Sequence, residues 1–348
     1  MTQSISYVLI KTIVRRALRE VESHPRRGSR NLVDMAVNFC QGHFQQRFFQ
    51  RAQHLLRNER SAFYPLIQDA ATHVEHDRLL AFGMALGYNS CTLGTKKIRD
   101  IEAREHFSIP WTLQLNVDAQ APAEHMDRYR RLLEEGKAMG VCTWFVYAQG
   151  GVRQMLPLLA GHPDCAFLLF CTPEELDDDL LTALSPIRSI MLVVDMSPGA
   201  AQACRRLRER KLLYSVCIRH SDDNLCDVLS DSLIRQAEAL HAIFTAFLPE
   251  ADCSALTRET VYDYVVKSRA AQRHSTIPWE IRSDNLLVDR IVSGDRCSAG
   301  FAGTARCSST AGTSLRIAAT CSQSPCGRSC WARCPARLPA PPSGCRNE

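Results

Sequence analysis

The sequence has few of the features that mark membrane or secreted proteins. No apolar run approaches the roughly 18–20 residues that a membrane-spanning helix needs. The first apolar stretch, residues 7–10, is soon followed by Lys11, Arg15 and Arg16. It also lacks the continuous apolar core and the small-residue cleavage site of a secretory signal peptide. We therefore predict a cytoplasmic protein that makes no contact with a membrane.

Most short motifs that mark a catalytic or nucleotide-binding site are also missing. There is no G-x-G-x-x-G, no G-x-x-x-x-G-K-[ST], no H-E-x-x-H and no G-x-S-x-G. The nine cysteines of residues 1–295 include no C-x-x-C pair. These absences argue against a dinucleotide-binding fingerprint, a P-loop, a zinc protease and a serine hydrolase. We expect no metal site in this part of the chain.

The last 53 residues contain no lysine and one acidic residue, but they hold seven of the 16 cysteines and seven arginines. Without them, residues 1–295 carry 35 basic and 36 acidic side chains, so the formal charge of +5 belongs to this tail. Ala, Ser, Arg, Cys, Pro and Gly supply 41 of its 53 residues. We predict that residues 296–348 are disordered or come from a shifted reading frame. The alternative is a cluster or zinc site on Cys321, Cys326, Cys330 and Cys334.

Residues 1–108 have the periodicity of helices. Tyr7, Ile10, Val14, Leu18 and Val21 recur at helical spacing with arginines between them. A break at residues 24–28 predicts the end of this helix. Further helices are predicted over about 31–57, 61–72, 75–87 and 94–106. Residues 1–108 therefore form a helical N-terminal region.

From residue 109 the pattern changes to apolar runs that alternate with helical segments. Six runs without polar alternation are typical of parallel strands buried on both faces: 111–117, 141–148, 165–172, 189–195, 212–219 and 242–248. Thr172-Pro173 and Ser197-Pro198 are typical helix starts, and Gly140 is a typical helix end. Residues 109–295 are therefore predicted to be an α/β domain. Periodicity alone leaves open a partial (β/α) barrel or an open doubly wound sheet.

Polar side chains stand where the predicted strands end. Asp195 follows the fourth strand, and His220 follows the fifth. In either fold the carboxyl ends of neighbouring parallel strands lie at one edge of the sheet, which is where function resides. Asp195 and His220 are therefore the candidate catalytic acid and base. The alternative is that such residues only cap helices and terminate strands.

Several segments of the sequence resemble a group of bacterial radical S-adenosylmethionine (radical SAM) proteins. They are residues 86–90, 98–102, 109–111 and 133–140. The resemblance covers roughly residues 1–295. It implies a partial (β/α)6 TIM-like barrel of radical SAM type preceded by a helical region.

The resemblance also implies a [4Fe–4S] cluster, and here the sequence departs from the family. Family members hold the cluster with a C-x3-C-x2-C loop after the first strand, and its open iron binds S-adenosylmethionine for reductive cleavage. In this chain the equivalent segment, residues 119–122, reads Ala-Gln-Ala-Pro. Of the Gly-Gly-Glu-Pro element that contacts the cofactor, Gly150 and Gly151 remain, and Asp195 matches the acidic residue of the fourth strand.

These departures predict a pseudoenzyme that has lost the iron–sulfur site and retains neither the [4Fe–4S] cluster nor S-adenosylmethionine. Gly150 and Gly151 are the candidate cofactor-binding residues. Its expected partner is another protein, such as an active paralogue. One alternative is a cluster-independent barrel enzyme that uses Asp195 and His220. A further alternative is nucleic-acid binding by the basic N-terminal helices, although the body's net charge of −1 does not indicate nucleic acid.

Overall fold

The computed structural model describes residues 5–39, 43–105, 108–118, 123–293, 299–302 and 307–309. The described part of the N-terminal region consists of helices joined by short turns. Its elements are α1 (Ile5–Ser23), α2 (Pro25–Phe39), α3 (His43–Leu55), α4 (Phe63–His73), α5 (His76–Gly83), a π-helix (Met84–Gly94) and α6 (Thr95–Glu105). We call residues 5–105 the leader. None of the described helices is long and apolar enough to cross a bilayer.

Two expectations about the leader are wrong. The predicted break at residues 24–28 shrinks to His24, because Pro25 opens α2, where its missing N–H costs no hydrogen bond. The predicted gap between residues 87 and 94 is helical, but with the wider π-type winding of Met84–Gly94. Glycines at both ends of that segment resemble a helix break in the sequence alone.

The leader is followed by a nine-stranded sheet. Its strands are β1 (Thr112–Asp118), β2 (Thr143–Gln149), β3 (Ala166–Cys171), β4 (Ile190–Asp195), β5 (Tyr214–His220), β6 (Phe244–Pro249), β7 (Ile277–Glu280), β8 (Ala299–Ala302) and β9 (Cys307–Ser309). The helices that follow β1–β7 are α7 (Ala123–Met139), α8 (Val152–Ala160), α9 (Asp178–Leu184), α10 (Ala200–Glu209), α11 (Leu225–Leu229), α12 (Ser232–Ala239), α13 (Ala255–Ala271) and α14 (Ile281–Ser293). All six predicted strands are present, and β7 adds a seventh βα unit.

Strands β1 to β7 are parallel and lie side by side in chain order. A doubly wound sheet reverses its strand order at a switch point, and this sheet does not. The seven strands form a curled half-barrel. The predicted α/β partial barrel is therefore confirmed.

The two faces of the half-barrel carry separate cores, and the leader contributes to both, with Ile98 in the convex core and Phe82 in the concave core. On the convex face, strand residues such as Leu115 and Leu169 form one core with Leu133 and Met155 of α7 and α8. On the concave face, a second core includes strand residues Phe145, Leu168 and Met191 together with leader residues Val74, Phe82 and Ala85. Apolar residues on both faces explain why the strands appear as unbroken apolar runs.

The leader is tied to the amino-terminal end of the barrel, where the parallel strands begin. Arg78 donates hydrogen bonds to the carbonyls of Ser185 and Ile187, just before β4, at 2.7 and 2.5 Å. Asn89 donates to the Asp164 carbonyl before β3 at 2.8 Å. The Glu75 backbone N–H donates to the Lys211 carbonyl before β5. The leader thereby contacts the segments that precede three successive strands.

The helix signals taken from the sequence have mixed outcomes. Thr172 forms the expected capping box, but around a 3₁₀ turn (Pro173–Glu175) rather than an α-helix. Ser197 does not cap α10; Gly199, at a φ of 94°, stands before it instead. Gly140 has a φ of 104° at the end of α7, as a left-handed terminator requires.

Two short strands fall within the segment predicted to be disordered. Within residues 296–348, β8 pairs in parallel with the free edge of β1, and β9 pairs antiparallel with β8. The first part of the tail therefore contains two short strands that periodicity does not reveal. The remainder of the predicted disordered segment, with the four candidate ligands Cys321, Cys326, Cys330 and Cys334, lies outside the described residues.

Candidate functional site at the carboxyl end of the barrel

Asp195 and Arg219 form an ion pair where β4 and β5 end. Arg219 Nε donates to Asp195 Oδ2 at 2.6 Å, with the side chains 41% and 19% exposed. The two strands run in register with Asp195 beside Cys217, so Arg219 stands two residues farther along the same face. Burial lowers the pKa of Arg219, but the Asp195 carboxylate more than offsets this and the net shift is upward. This pair places one positive and one negative charge at the mouth of the barrel.

Aromatic side chains fill the space below that ion pair. The rings of Tyr147 and Phe170 stack with centroids 4.2 Å apart and an interplanar angle of 18°. Burial raises the pKa of Tyr147 far above its usual value, so this phenol is neutral. The remaining void beside Tyr147, Phe170, Asp195 and Arg219 has a volume of about 20 Å³. Pockets that hold a cofactor-sized ligand measure about 300–1,000 Å³.

His220 lies on the other face of β5. Successive strand residues point to opposite faces, so His220 points away from Arg219 and Asp195. Its side chain is fully buried, and neither ring nitrogen has a hydrogen-bond partner among the described residues. Burial, with a smaller effect of the nearby Arg258, lowers the pKa of His220 to about 4. Asp195 and His220, the candidate acid and base, are therefore not brought together, because strand alternation points their side chains to opposite faces.

Gly150 and Gly151 form the turn between β2 and α8. Gly150 has a φ of 71°, a conformation that favours glycine, and Gly151 stands immediately before the first residue of α8. The backbone N–H of Gly151 donates to the Ala148 carbonyl at 3.1 Å. The two glycines lie at the carboxyl edge of the sheet, as predicted. Their geometry accounts for a tight turn, and their role toward a cofactor stays a prediction.

The described thiols near this edge do not suit a [4Fe–4S] cluster. Such a cluster needs several thiolates directed at one point. Cys171 packs in the convex core, whereas Cys217 packs in the concave core, so the sheet separates them. Burial raises the pKa of Cys171 well above its ordinary value and that of Cys217 to about 12. Among the described residues, no group of three or more His, Cys, Asp or Glu side chains is placed to hold a metal ion.

The basic residues of the first leader helices, which suggest nucleic-acid binding, are partly neutralised. Arg15 pairs with Asp77 at 3.0 Å, and Arg27 pairs with Glu20 at 3.2 Å. Arg30 donates to the carbonyl of Leu56 rather than standing free. These contacts involve only some of the basic residues of the leader, and nucleic-acid binding by its helices stays a prediction.

Sequence reasoning missed the residues that occupy the mouth and the role of the leader. Tyr147 and Phe170 belong to apolar runs, and only the phenol within the run of β2 hints at a special position. Arg78 is 3% exposed although nothing in its neighbourhood marks it as a buried arginine. Contacts between residues more than 100 positions apart have no local signal.

No protein-family model matches the chain, and no curated protein matches it. Among solved structures, it is similar to Streptococcus suis SuiB bound to S-adenosylmethionine, with a TM-score of 0.47 and 8% identity over 61% of each chain. For SuiB bound to the precursor peptide SuiA, the TM-score is 0.45 at 8% identity, over 61% of this chain and 62% of SuiB. For a third SuiB structure, the values are 0.45 and 9%, over 80% and 75%. In the first two comparisons, the chain spans about three fifths of SuiB, and the similarity concerns the fold alone.

Proposed function

We propose that this chain keeps a radical SAM-like scaffold without the iron–sulfur reaction and acts by binding, as a regulatory partner of another protein such as an active paralogue. The observation that carries the proposal is the connection after β1. Its residues 119–122, Ala-Gln-Ala-Pro, contain none of the three cysteines that a cluster loop requires. A cluster with three protein thiolates has no ligands at this position.

The packing of the carboxyl end supports the same proposal. Tyr147 and Phe170 occupy the concave face below the ion pair of Asp195 and Arg219, and the void left there is about 20 Å³. That volume is far below the roughly 300–1,000 Å³ of small-molecule sites. Placing S-adenosylmethionine in this void would therefore require the stacked rings or the ion pair to move.

Acid–base catalysis is less well supported than binding. Asp195 is held by Arg219, and His220 points to the opposite face of the strand. One molecule of substrate at the mouth could not meet both groups. We therefore do not assign Asp195 and His220 the roles of acid and base.

Anaerobic reconstitution of the full chain with iron and sulfide tests the proposal. We expect no stoichiometric bound iron and none of the visible absorbance of an iron–sulfur cluster. A matched variant carries serine at Cys321, Cys326, Cys330 and Cys334. One cluster per chain in either protein would overturn the proposal, and loss of that cluster in the variant would assign its ligands to the tail.

Equilibrium dialysis with S-adenosylmethionine is the second test. We expect no saturable binding by the full chain. Saturable binding that is lost in Gly150→Val but kept in the neighbouring surface variant Arg153→Ala would show that the cofactor site survives, and the proposal would fail.

A further inference from the structure

A cavity formed by the described residues lies at the amino-terminal end of the barrel, away from its mouth. Its volume is about 500 Å³, within the range of small-molecule sites. The cavity is a cleft open to solvent, lined by α1, α5, the π-helix and the segments that precede β3 and β4. Small-molecule sites are commonly such concave clefts between parts of a protein. We call it the leader cavity.

The walls of the leader cavity are mainly apolar. Leu80 and Met84 from the leader face Ile187 and Pro163 from the barrel. Part of the wall belongs to the π-helix, a rare geometry that is frequent at functional sites. Because leader and barrel both contribute, the cavity exists only when the leader is docked. Such a space fits a ligand with an apolar body.

The charged residues of the cavity leave one cation without a partner. Asp77 is shared by Arg15 at 3.0 Å and Arg188 at 3.5 Å. Asp164 is paired with Lys137 at 2.5 Å. Lys11 also lines the cavity, and no carboxylate among the described residues pairs with it. An ammonium group beside an apolar cavity is suited to bind a single negative charge.

We propose that the leader cavity binds a small amphipathic carboxylate, with the apolar body against Leu80, Met84 and Ile187 and the carboxylate at Lys11. Arg15 and Arg188 add positive potential on the same side of the cavity. With Asp77 and Asp164 counted, the charged lining residues have a formal net charge of +1, which suits a monoanion. The site is separate from the mouth of the barrel and independent of the iron–sulfur question.

Fluorescence of 8-anilinonaphthalene-1-sulfonate, an anionic aromatic probe, tests the proposal on the full chain. We expect saturable binding to the folded protein and displacement by octanoate. Octanol has the same chain length without the charge and should displace the probe about tenfold less well, since one charge-assisted hydrogen bond contributes about 1.5 kcal/mol or more. Equal displacement by octanoate and octanol would overturn the carboxylate specificity without any mutation.

Variants locate the binding. Lys11→Ala should weaken octanoate binding about tenfold and leave octanol unchanged. Arg16→Ala removes the same charge from an exposed position of the same helix outside the cavity, and should change neither. Ala81→Trp fills the cavity and should abolish probe binding while the urea midpoint shows that the protein is folded. A folded Ala81→Trp protein that binds the probe as well as the parent would overturn the assignment of the site.

Discussion

The two ends of the half-barrel differ in the space that they offer a ligand, and the difference is the reverse of what is usual in such barrels. In parallel β/α barrels, the carboxyl end carries function and the amino-terminal end contributes stability. Here, in the described part of the carboxyl end, Tyr147 and Phe170 leave a void of about 20 Å³ beside the ion pair. The amino-terminal end is hydrogen-bonded to the leader yet holds a cleft of about 500 Å³. The comparison indicates that sealing one end with extra helices can create a second place for a ligand.

The largest loss of folding stability is expected when the hydrogen bonds between the leader and the barrel are removed. Arg78→Ala removes two charge-assisted hydrogen bonds, to Ser185 and Ile187, and leaves both carbonyls unpaired. We expect the free energy of unfolding in urea to fall by about 4 kcal/mol. Arg210→Ala, which removes an exposed arginine, should cost less than about 1 kcal/mol. Similar losses in the two variants would show that the leader does not stabilise the barrel.

The next largest loss of stability is expected where the leader backbone packs closely against the barrel and an added methyl group has no room. A Cβ on Gly94 would lie 2.2 Å from the carbonyl oxygen of Gly140, a backbone atom that cannot turn aside. We expect Gly94→Ala to lower the free energy of unfolding by about 3 kcal/mol. Gly87→Ala lies in the same π-helix with open space around its added methyl and is the control. Equal stability of the two variants would contradict the close approach.

At the carboxyl end, His220 should give a pH dependence rather than a packing effect. Its pKa is about 4 in the folded protein and about 6.5 when unfolded, so the unfolded chain binds more protons between these values. Stability should therefore fall as the pH drops below about 6.5, by about 2 kcal/mol between pH 7 and pH 5 from this group. His220→Leu should lose that part of the pH dependence, whereas the exposed His54→Gln should not. Parallel pH profiles for the parent and His220→Leu would refute the burial of a neutral histidine.

The smallest effect is expected at the mouth itself. Arg219→Ala breaks the ion pair with Asp195, in which the arginine is 41% exposed. Solvent screening limits the expected loss in urea unfolding to about 1 kcal/mol or less. A loss comparable to that of Arg78→Ala would erase the distinction between the two ends.

The sequence predicts the parts of this fold that depend on neighbours along the chain. Unbroken apolar runs locate β1 to β6 to within about two residues, because both faces of the sheet are covered. The four-residue strand β7, which contains Pro278, is too short to give such a run. The chain order of the strands also has no local signature, so the barrel follows from the resemblance and not from periodicity.

The candidate site was predicted less completely. Asp195 and the turn at Gly150 lie at the carboxyl edge as expected, because parallel strands bring their ends together. A pairing of His220 with Asp195 ignores the alternation of side chains along β5. That alternation places Arg219, and not His220, beside Asp195. The leader cavity depends on Lys11 and Ile187, which are distant in sequence and meet only in the folded chain.

The two hydrogen bonds donated by Arg78 also have a consequence during synthesis of the protein on the ribosome. Its two acceptors, Ser185 and Ile187, are 107 and 109 residues later in the chain. Synthesis at roughly 5–20 residues per second would leave the leader waiting about 5–20 s before its barrel loops exist. During that interval Arg78 lacks both acceptors, and Phe82 and Ala85 lack the later strands β4 to β6 of their core. We therefore expect the nascent leader to depend on protection from aggregation until those strands are made.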